Sequence, residues 1–436
     1  MSALSRVKLR LWWERAAWVI PLFGVLCALF LYQGASLLDE EVYARETAPQ
    51  FSNSAAITIL AAIGGGMITF TGFVFSFVVL LLQFGSSAYS PRSVAYFLRA
   101  RAVQWILALF LATITFSFLT LIDTGSLNRE DFVPSAGVLL AVLLLLLSLI
   151  GFIGLLQVVG RRIRVDAVLS SIGESSQRTL RRSAHYIPRG GTATPIGEEA
   201  TLALRRPDAL PETPDDESEI VSYVGRNGQV VAVDVTRLVR LVRRRRCHVD
   251  VVVRVGDAVT PGTPIARVTG SPRPLDRRIS SAIVVDTERS LVYDPLYALR
   301  LLVDVALRAL SPAVNDPTTA VRSLDEVEGV LRVAARERMG AISFEFDPGR
   351  LVVSRPTWNE LVDLALVEIL TVGGREVQVH RRLLALVNDL IPAVAESRRP
   401  ILEEYRAQLL LHADEMLGRS GHIAGHGDRQ GLGGSS

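Results

Sequence analysis

Lysine is almost missing from this chain. Of its 47 lysine and arginine residues, Lys8 is the only lysine, so arginine carries the positive charge. That scarcity excludes chemistry built on a lysine amine: a Walker-type phosphate loop, a Schiff base, or the attachment of biotin or lipoyl groups. Cysteine is scarce as well, with Cys27 inside an apolar run and Cys247 in a basic segment. Two such residues cannot build a disulfide framework or a cysteine-rich metal site, which leaves redox chemistry without a foundation.

Charge is missing too, in blocks. Stretches 16–38, 47–91, 102–122 and 132–160 contain no Asp, Glu, Lys or Arg. Each exceeds the ~20 residues that a helix needs to cross a hydrocarbon core. They concentrate a hydrophobic content of 49% and a mean hydropathy of +0.33 in the first part of the 436-residue chain. The length leaves room for two or three domains. The first stretch follows Arg6, Lys8, Arg10 and Arg15, as a signal peptide would. Its 23 uncharged residues are long for a signal core, and no small-x-small cleavage site precedes Asp39, so it reads as a retained anchor.

The arginines set the orientation. The N-terminal tail carries four Lys/Arg residues, the loop 92–101 adds Arg92, Arg99 and Arg101, and Arg161, Arg162 and Arg164 follow the fourth stretch. The two remaining loops hold one arginine each, Arg45 and Arg129, among Asp39, Glu40, Glu41, Glu46, Asp123, Glu130 and Asp131. By the positive-inside rule both termini face the cytoplasm of a multi-pass protein in a bacterial inner membrane.

The run 47–91 is 45 residues long, yet the charge pattern demands an odd number of crossings there. One long helix, bent or straight at Gly64-Gly65-Gly66, satisfies both. Alternate steps of three and four along it give Ala55, Thr58, Ala62, Gly65, Thr69, Gly72, Ser76, Val79, Gln83, Ser86 and Ser90. All but Val79 are small or polar, whereas Phe70, Phe73, Phe75 and Phe77 stand beside them. Two readings of the stripe Gly65, Thr69, Gly72, Ser76 and Gln83 stand side by side. Small residues let helix backbones approach, which makes a packing face. Hydroxyls and an amide also suit a wetted path lined by several copies, which makes a pore face. The span holds no ionisable residue, which disfavours a pump or a proton-coupled carrier.

Two motifs carry a resemblance. "LLQFGSSAYSPRS" (81–93) contains Gln83, Ser86, Ser87, Tyr89, Ser90, Pro91 and Arg92; "ALRALSPAVNDPTTA" (306–320) contains Ser311, Pro312, Asn315, Asp316, Pro317 and Thr319. With four spans and a charged C-terminal half, the chain resembles, from about residue 10 to about 415, a bacterial family of predicted membrane proteins, the domain of unknown function 2254. The resemblance implies a membrane protein and supplies no activity.

Five segments follow one another along the chain: a membrane domain (1–160), a juxtamembrane helix and linker (161–218), a β-rich part (219–290), a helical α+β part (291–417) and a disordered tail (418–436). The segment 161–183 reads as a helix continuing out of the fourth span, with Arg162, Arg164, Arg178, Arg181 and Arg182 within reach of anionic lipid headgroups. A solvated face explains them equally well. The Pro/Gly/acid-rich stretch 190–219 reads as a connector. "IVSYVGRNGQVVAVDV" predicts a hairpin turning at Asn227-Gly228. The pattern from Gly256-Asp257 to Ile265 resembles the turns of biotinyl and lipoyl carriers but has no lysine, so a small barrel-like sandwich without a prosthetic group is expected. "TRLVRLVRRRR" (236–246) reads as a short helix whose terminal arginines suit its dipole, with contact to phosphate groups as the competing reading.

Asp294-Pro295 and Asp316-Pro317 are two helix starts, each a capping carboxylate followed by a proline whose missing N–H costs nothing. Pro312 ends the first helix, and Arg300, Asp304 and Arg308 form a ladder along it. Capping accounts for the corner at Ser311–Pro317; a ligand-binding turn of Ser311, Asn315, Asp316 and Thr319 is the competing reading. A hairpin at Asp347-Pro348-Gly349 and helices over 357–371, 373–395 and 398–417 complete the chain. His380 and His412 read as ordinary helix residues, and His422 and His426 as tail residues.

No phosphate loop, Rossmann fingerprint, nucleophile elbow or metal-ligand cluster is present, so neither an enzyme, a cofactor nor a nucleic-acid partner is expected. The expected function is a homo-oligomeric passive pore or permeation assembly with a cytoplasmic regulatory domain; the alternative is a membrane-anchored sensor or scaffold.

Overall fold

The computed structural model describes residues 18–43, 52–88, 101–124, 133–162, 165–184, 192–205, 218–271, 274–291, 293–374 and 376–417. The chain divides into two units, one of Leu9–Arg164 and one running from Val165.

In the first unit the charge-free stretches become α1 (Val19–Tyr43), α2 (Asn53–Ala88), α3 (Arg101–Thr124) and α4 (Ser135–Arg162). Helix is the form that satisfies every backbone N–H and C=O within one segment, as lipid demands. All four contain a segment long and apolar enough to span a bilayer: Val19–Asp39, Asn53–Leu80, Ala102–Thr124 and Ser135–Gln157. α2 is one helix of 36 residues that continues through Gly64-Gly65-Gly66. α3 is the central helix and packs against the other three. Its Phe110 and Phe116 are fully buried together with Leu60 and Met67 of α2 and Val138 of α4. Phe70 of α2 stacks edge-on against Phe152 of α4, ring centroids 4.9 Å apart. α1 crosses α3 closely at Gly24, where any added Cβ would run into the backbone of Ala108. Thr113 and Ser148 share a buried hydrogen bond of 2.9 Å between α3 and α4.

The second unit begins with α5 (Val165–Ala184), which covers most of the helix expected over 161–183; its join to α4 lies outside the described residues. α5 buries Val168, Leu169, Ile172 and Leu180 as one apolar stripe. The stretch expected to be a connector contributes β1 (Thr192–Pro195) and α6 (Glu198–Leu204). β1 is an edge strand paired antiparallel with β8, and Thr201 of α6 accepts the N–H of Ala341 on its hydroxyl at 3.0 Å. Composition reads such a stretch as loop, but the strand needs only four residues and a waiting sheet edge.

The remaining strands are β2 (Ser218–Ser222), β3 (Gly228–Val233), β4 (His248–Val251), β5 (Ala258–Val259), β6 (Pro264–Thr269), β7 (Ile283–Asp286), β8 (Ile342–Glu345) and β9 (Arg350–Val353). They form two open sheets, β1-β8-β9-β4-β6-β2 and β5-β3-β7. The expected hairpin at Asn227-Gly228 is absent: β2 pairs with β6, and β3 with β5 and β7. The connection crosses between sheets, so Val221 and Val230 both reach one core with Leu238, Val249 and Ile265, which a lone two-stranded hairpin could not bury. The expected barrel-like closure is likewise replaced by open sheets, because β8 and β9 insert beside β4, with β9 parallel to it. β8 and β9 do form the hairpin read at Asp347-Pro348-Gly349. Gly349 has φ +112°, and a side chain there would strike Val242 and the carbonyl of Cys247.

Helices α7 (Val235–Arg245) and α8 (Asp276–Ser280) lie among the strands, and α9 (Pro295–Ala309), α10 (Pro317–Ala334), α11 (Trp358–Gly373), α12 (Val377–Leu390) and α13 (Arg399–Leu417) follow. α9 and α10 pack as a pair, with α5 against both, α11 on α9 and α12 on α10. Arg300 of α9 bridges Asp304 at 2.7 Å and Glu368 of α11 at 3.0 Å. Its guanidinium holds the Glu368 carboxyl below the usual carboxylate range.

Candidate functional site

Two surfaces concentrate the chemistry that the sequence singled out. The first is the stripe on α2. Gly65, Thr69, Gly72, Ser76 and Gln83 are all exposed, while Ala56, Leu60, Ile63, Met67 and Val74 are buried in the bundle. The helix therefore packs within the chain through one face and turns the narrow stripe outward, together with the bulky Ile68, Phe73 and Phe75 beside it. Among the described residues, nothing lies within 4 Å of a Cβ added at Gly65, Gly66 or Gly72. The hydroxyls of the stripe are satisfied locally. Thr69 donates to the carbonyl of Gly65 at 3.3 Å, and Ser76 to that of Gly72 at 3.0 Å. Gln83 also has an interaction partner. The motif positions Ser90, Pro91 and Arg92 lie outside the described residues.

The second motif forms the corner between α9 and α10. Asp294 accepts the N–H of Tyr297 at 3.0 Å, and Asp316 accepts that of Thr319, also at 3.0 Å. The other Asp316 oxygen takes the Thr319 hydroxyl at 2.5 Å. Asn315 sits at φ +47°, and Ser311 donates its hydroxyl to the Arg308 carbonyl at 2.7 Å. Pro312, Ala313, Val314 and Asn315 are exposed, and Pro317 opens α10. Each capping group thus bonds to its own turn. Asp294 differs in being almost fully buried: burial pushes its carboxyl up, opposed by the Arg289 guanidinium that contacts it.

The second surface is arginine-rich. α7 starts at Asp234, which accepts the N–H of Arg237, and buries Leu238, Val239 and Val242. Its opposite side presents Arg237, Arg240, Leu241 and Arg244, one continuous row at helical spacing. α8 lies alongside, tied by a 3.3 Å hydrogen bond from Arg237 to the carbonyl of Ser281. Between them runs a groove of about 300 Å³ lined by Arg237, Leu238, Arg240, Leu241, Arg244 and Arg278. Sequence alone pointed to the α7 arginines and not to Arg278, which lies 34 positions beyond Arg244.

Elsewhere the unit neutralises its charges. Arg382 of α12, 4% exposed, reaches Asp325 at 2.8 Å and Glu328 at 2.6 Å on α10. Glu360 joins Arg205 at 3.1 Å and also meets Arg254, both bound in turn to Asp257. Burial would raise the Glu360 carboxyl, but the Thr357 N–H and these arginines hold it below the usual range. Two buried groups stand apart. Arg355 is lowered to about 10 by burial. His380 is fully buried with no hydrogen bond at either ring nitrogen, and burial lowers its pKa. Its helical spacing carries no signal that would have distinguished it from a surface histidine.

Comparison with known proteins identifies a family. The model of a family described as predicted membrane protein (DUF2254) matches residues 14–389. Two curated relatives, Uncharacterized protein Mb1321c of Mycobacterium bovis and Uncharacterized protein Rv1290c of Mycobacterium tuberculosis, are each 28% identical over 439 aligned residues. The alignment covers 94% of this chain and 79% of each relative. No solved structure matches the chain significantly. With the family model spanning both units and both motifs, the chain belongs to the predicted membrane protein family DUF2254.

Proposed function

We propose that the protein is a non-enzymatic, passive permeation assembly of the bacterial inner membrane. Several copies associate so that the α2 stripe of each faces a shared axis, and the C-terminal unit acts as a cytoplasmic regulatory domain. The outward direction of Gly65, Thr69, Gly72, Ser76 and Gln83 carries this reading. The glycines and hydroxyls of this stripe face outward, where lipid chains gain little from them, while Ile68, Phe73 and Phe75 beside it suit lipid. Such a face is better covered by a second helix or by water. The absence of Asp, Glu, Lys and Arg from Asn53–Ala88 fits passive movement better than coupled transport.

A second reading, a membrane-anchored sensor or scaffold, is favoured by one observation. Thr58, Thr69 and Ser76 already donate to carbonyls four residues back, so the stripe tolerates lipid without a water path.

Cysteine scanning separates the two. In a Cys27→Ala, Cys247→Ala background reconstituted in vesicles, cysteines at 69, 72, 76 and 83 are expected to react with a water-soluble thiol reagent. Those at 70, 74 and 77, which are buried or half-buried, should resist it. Inaccessibility of every stripe position in the lipid-embedded oligomer would replace the permeation reading with the anchored sensor.

A further inference from the structure

We propose that the groove between α7 and α8 is a binding site for a phosphate-bearing anion, presented either by a lipid headgroup or by a small soluble phosphate. This inference is independent of the permeation reading, since it concerns only the C-terminal unit.

The argument begins with the company these arginines keep. Several arginines of the unit face carboxylates: Arg205, Arg254, Arg289, Arg300, Arg332 and Arg382 are all in ion pairs. In the groove the pattern reverses. Arg237, Arg240, Arg244 and Arg278 converge on about 300 Å³, and among the described residues no carboxylate lines it. Arg237 is held by the Ser281 carbonyl. The side chains of Arg240, Arg244 and Arg278 have no hydrogen-bond or ion-pair partner among the described residues. The acids at hand are engaged elsewhere: Asp234 caps α7, and Asp276 accepts the N–H of Ser222 at 3.2 Å.

Four like charges around one small space repel each other, and an anion removes that repulsion. Guanidinium groups select the anion by shape, because their paired N–H donors match two oxygens of a phosphate. The site is also anchored. Leu238 is fully buried beneath the arginine row, and the tie from Arg237 to Ser281 fixes the spacing of α7 and α8. The row therefore stands on a rigid helix face and not on a loop. Nucleic acid fits less well, since among the described residues no aromatic side chain lines the groove to stack a base.

Arginine-specific modification by phenylglyoxal, read peptide by peptide on the full-length protein in lipid nanodiscs, tests the site. Pyrophosphate is the soluble probe, and phosphatidylglycerol in place of phosphatidylcholine is the lipid probe. Arg336 and Arg338, exposed and outside the groove, report non-specific protection. If a soluble phosphate is the ligand, pyrophosphate at about ten times its half-saturating concentration slows modification of Arg240, Arg244 and Arg278 about tenfold in phosphatidylcholine discs. If a headgroup is the ligand, protection of the same three arginines follows phosphatidylglycerol without added pyrophosphate. In either case Arg336 and Arg338 react at an unchanged rate. The Arg240→Gln, Arg244→Gln variant should also lose protection of Arg278. Equal protection of Arg336 and Arg338, protection by an oligonucleotide alone, or no protection by either phosphate probe would overturn the proposal.

Discussion

Asp39, near the end of α1, accepts the backbone N–H of Ala136 at 2.6 Å, although 97 positions separate them. Its other oxygen takes the N–H of Gly137 at 3.1 Å. One carboxylate from the first span thus caps the start of the fourth, where the unpaired N–H groups and the helix dipole favour negative charge. Replacing Asp39 with Leu leaves both donors buried and is expected to cost roughly 1–3 kcal/mol. Asp39→Asn keeps an acceptor and should lose less. Thermal unfolding in detergent checks the order: wild type, then Asn, then Leu.

Two glycines of the membrane unit should respond in opposite ways to the same change. Gly24→Leu drives a side chain into the Ala108 backbone and is expected to destabilise the single chain by roughly 1–3 kcal/mol. Gly72→Leu meets open space within the chain. It should leave the unfolding temperature of the monomer unchanged and alter only assembly, as read by crosslinking in vesicles. Equal loss of monomer stability in both would place the α2 stripe inside the bundle.

At the corner of α9 and α10, Asp316→Ala removes the acceptor for both the N–H and the hydroxyl of Thr319. A lost N-cap costs about 1 kcal/mol, and Asp316→Ser, which supplies the same acceptor, should recover most of it. A ligand-binding corner would give a different result: full stability in both variants, with function lost.

Acid should weaken the packing around His380. Burial lowers the imidazole pKa, aided by His412 and opposed by the Gly374 backbone, so the folded value lies below the usual 6.5. Above pH 6.5 both states are neutral and the group contributes nothing to pH dependence. As pH falls through it, the unfolded chain takes up a proton that the fold resists, and stability declines. His380→Leu should flatten this slope. The melting temperature of wild type relative to the variant is expected to fall between pH 7.5 and 5.5; parallel curves would contradict the assignment.

Topology follows from the arginine bias. Reporter fusions after residues 45 and 127 are expected to read periplasmic, and fusions after 95 and 436 cytoplasmic. A periplasmic reading at 436 would overturn the layout proposed for both units.

What the sequence determined by itself is whatever closes over a few neighbouring residues. The four apolar helices, the caps at Asp294 and Asp316, the stop at Pro312 and the β8–β9 hairpin all rest on bonds within a turn or two, so pattern and capping chemistry suffice. The α2 stripe was legible for the same reason, since helical periodicity alone aligns Gly65 with Gln83. Its direction was not. Only the packing of Leu60, Met67 and Val74 against α3 and α4 turns the stripe outward. Strand partnership was decided in three dimensions as well. β2 and β3 part company at Asn227-Gly228, and β9 runs parallel to β4, because burial of Val221, Val230 and Val249 in one core outweighs the preference of a local turn. Arg278 joins Arg240 and Arg244 for the same reason: α7 and α8 are brought together by the sheets beneath them, and no sequence spacing encodes a contact made through a shared core.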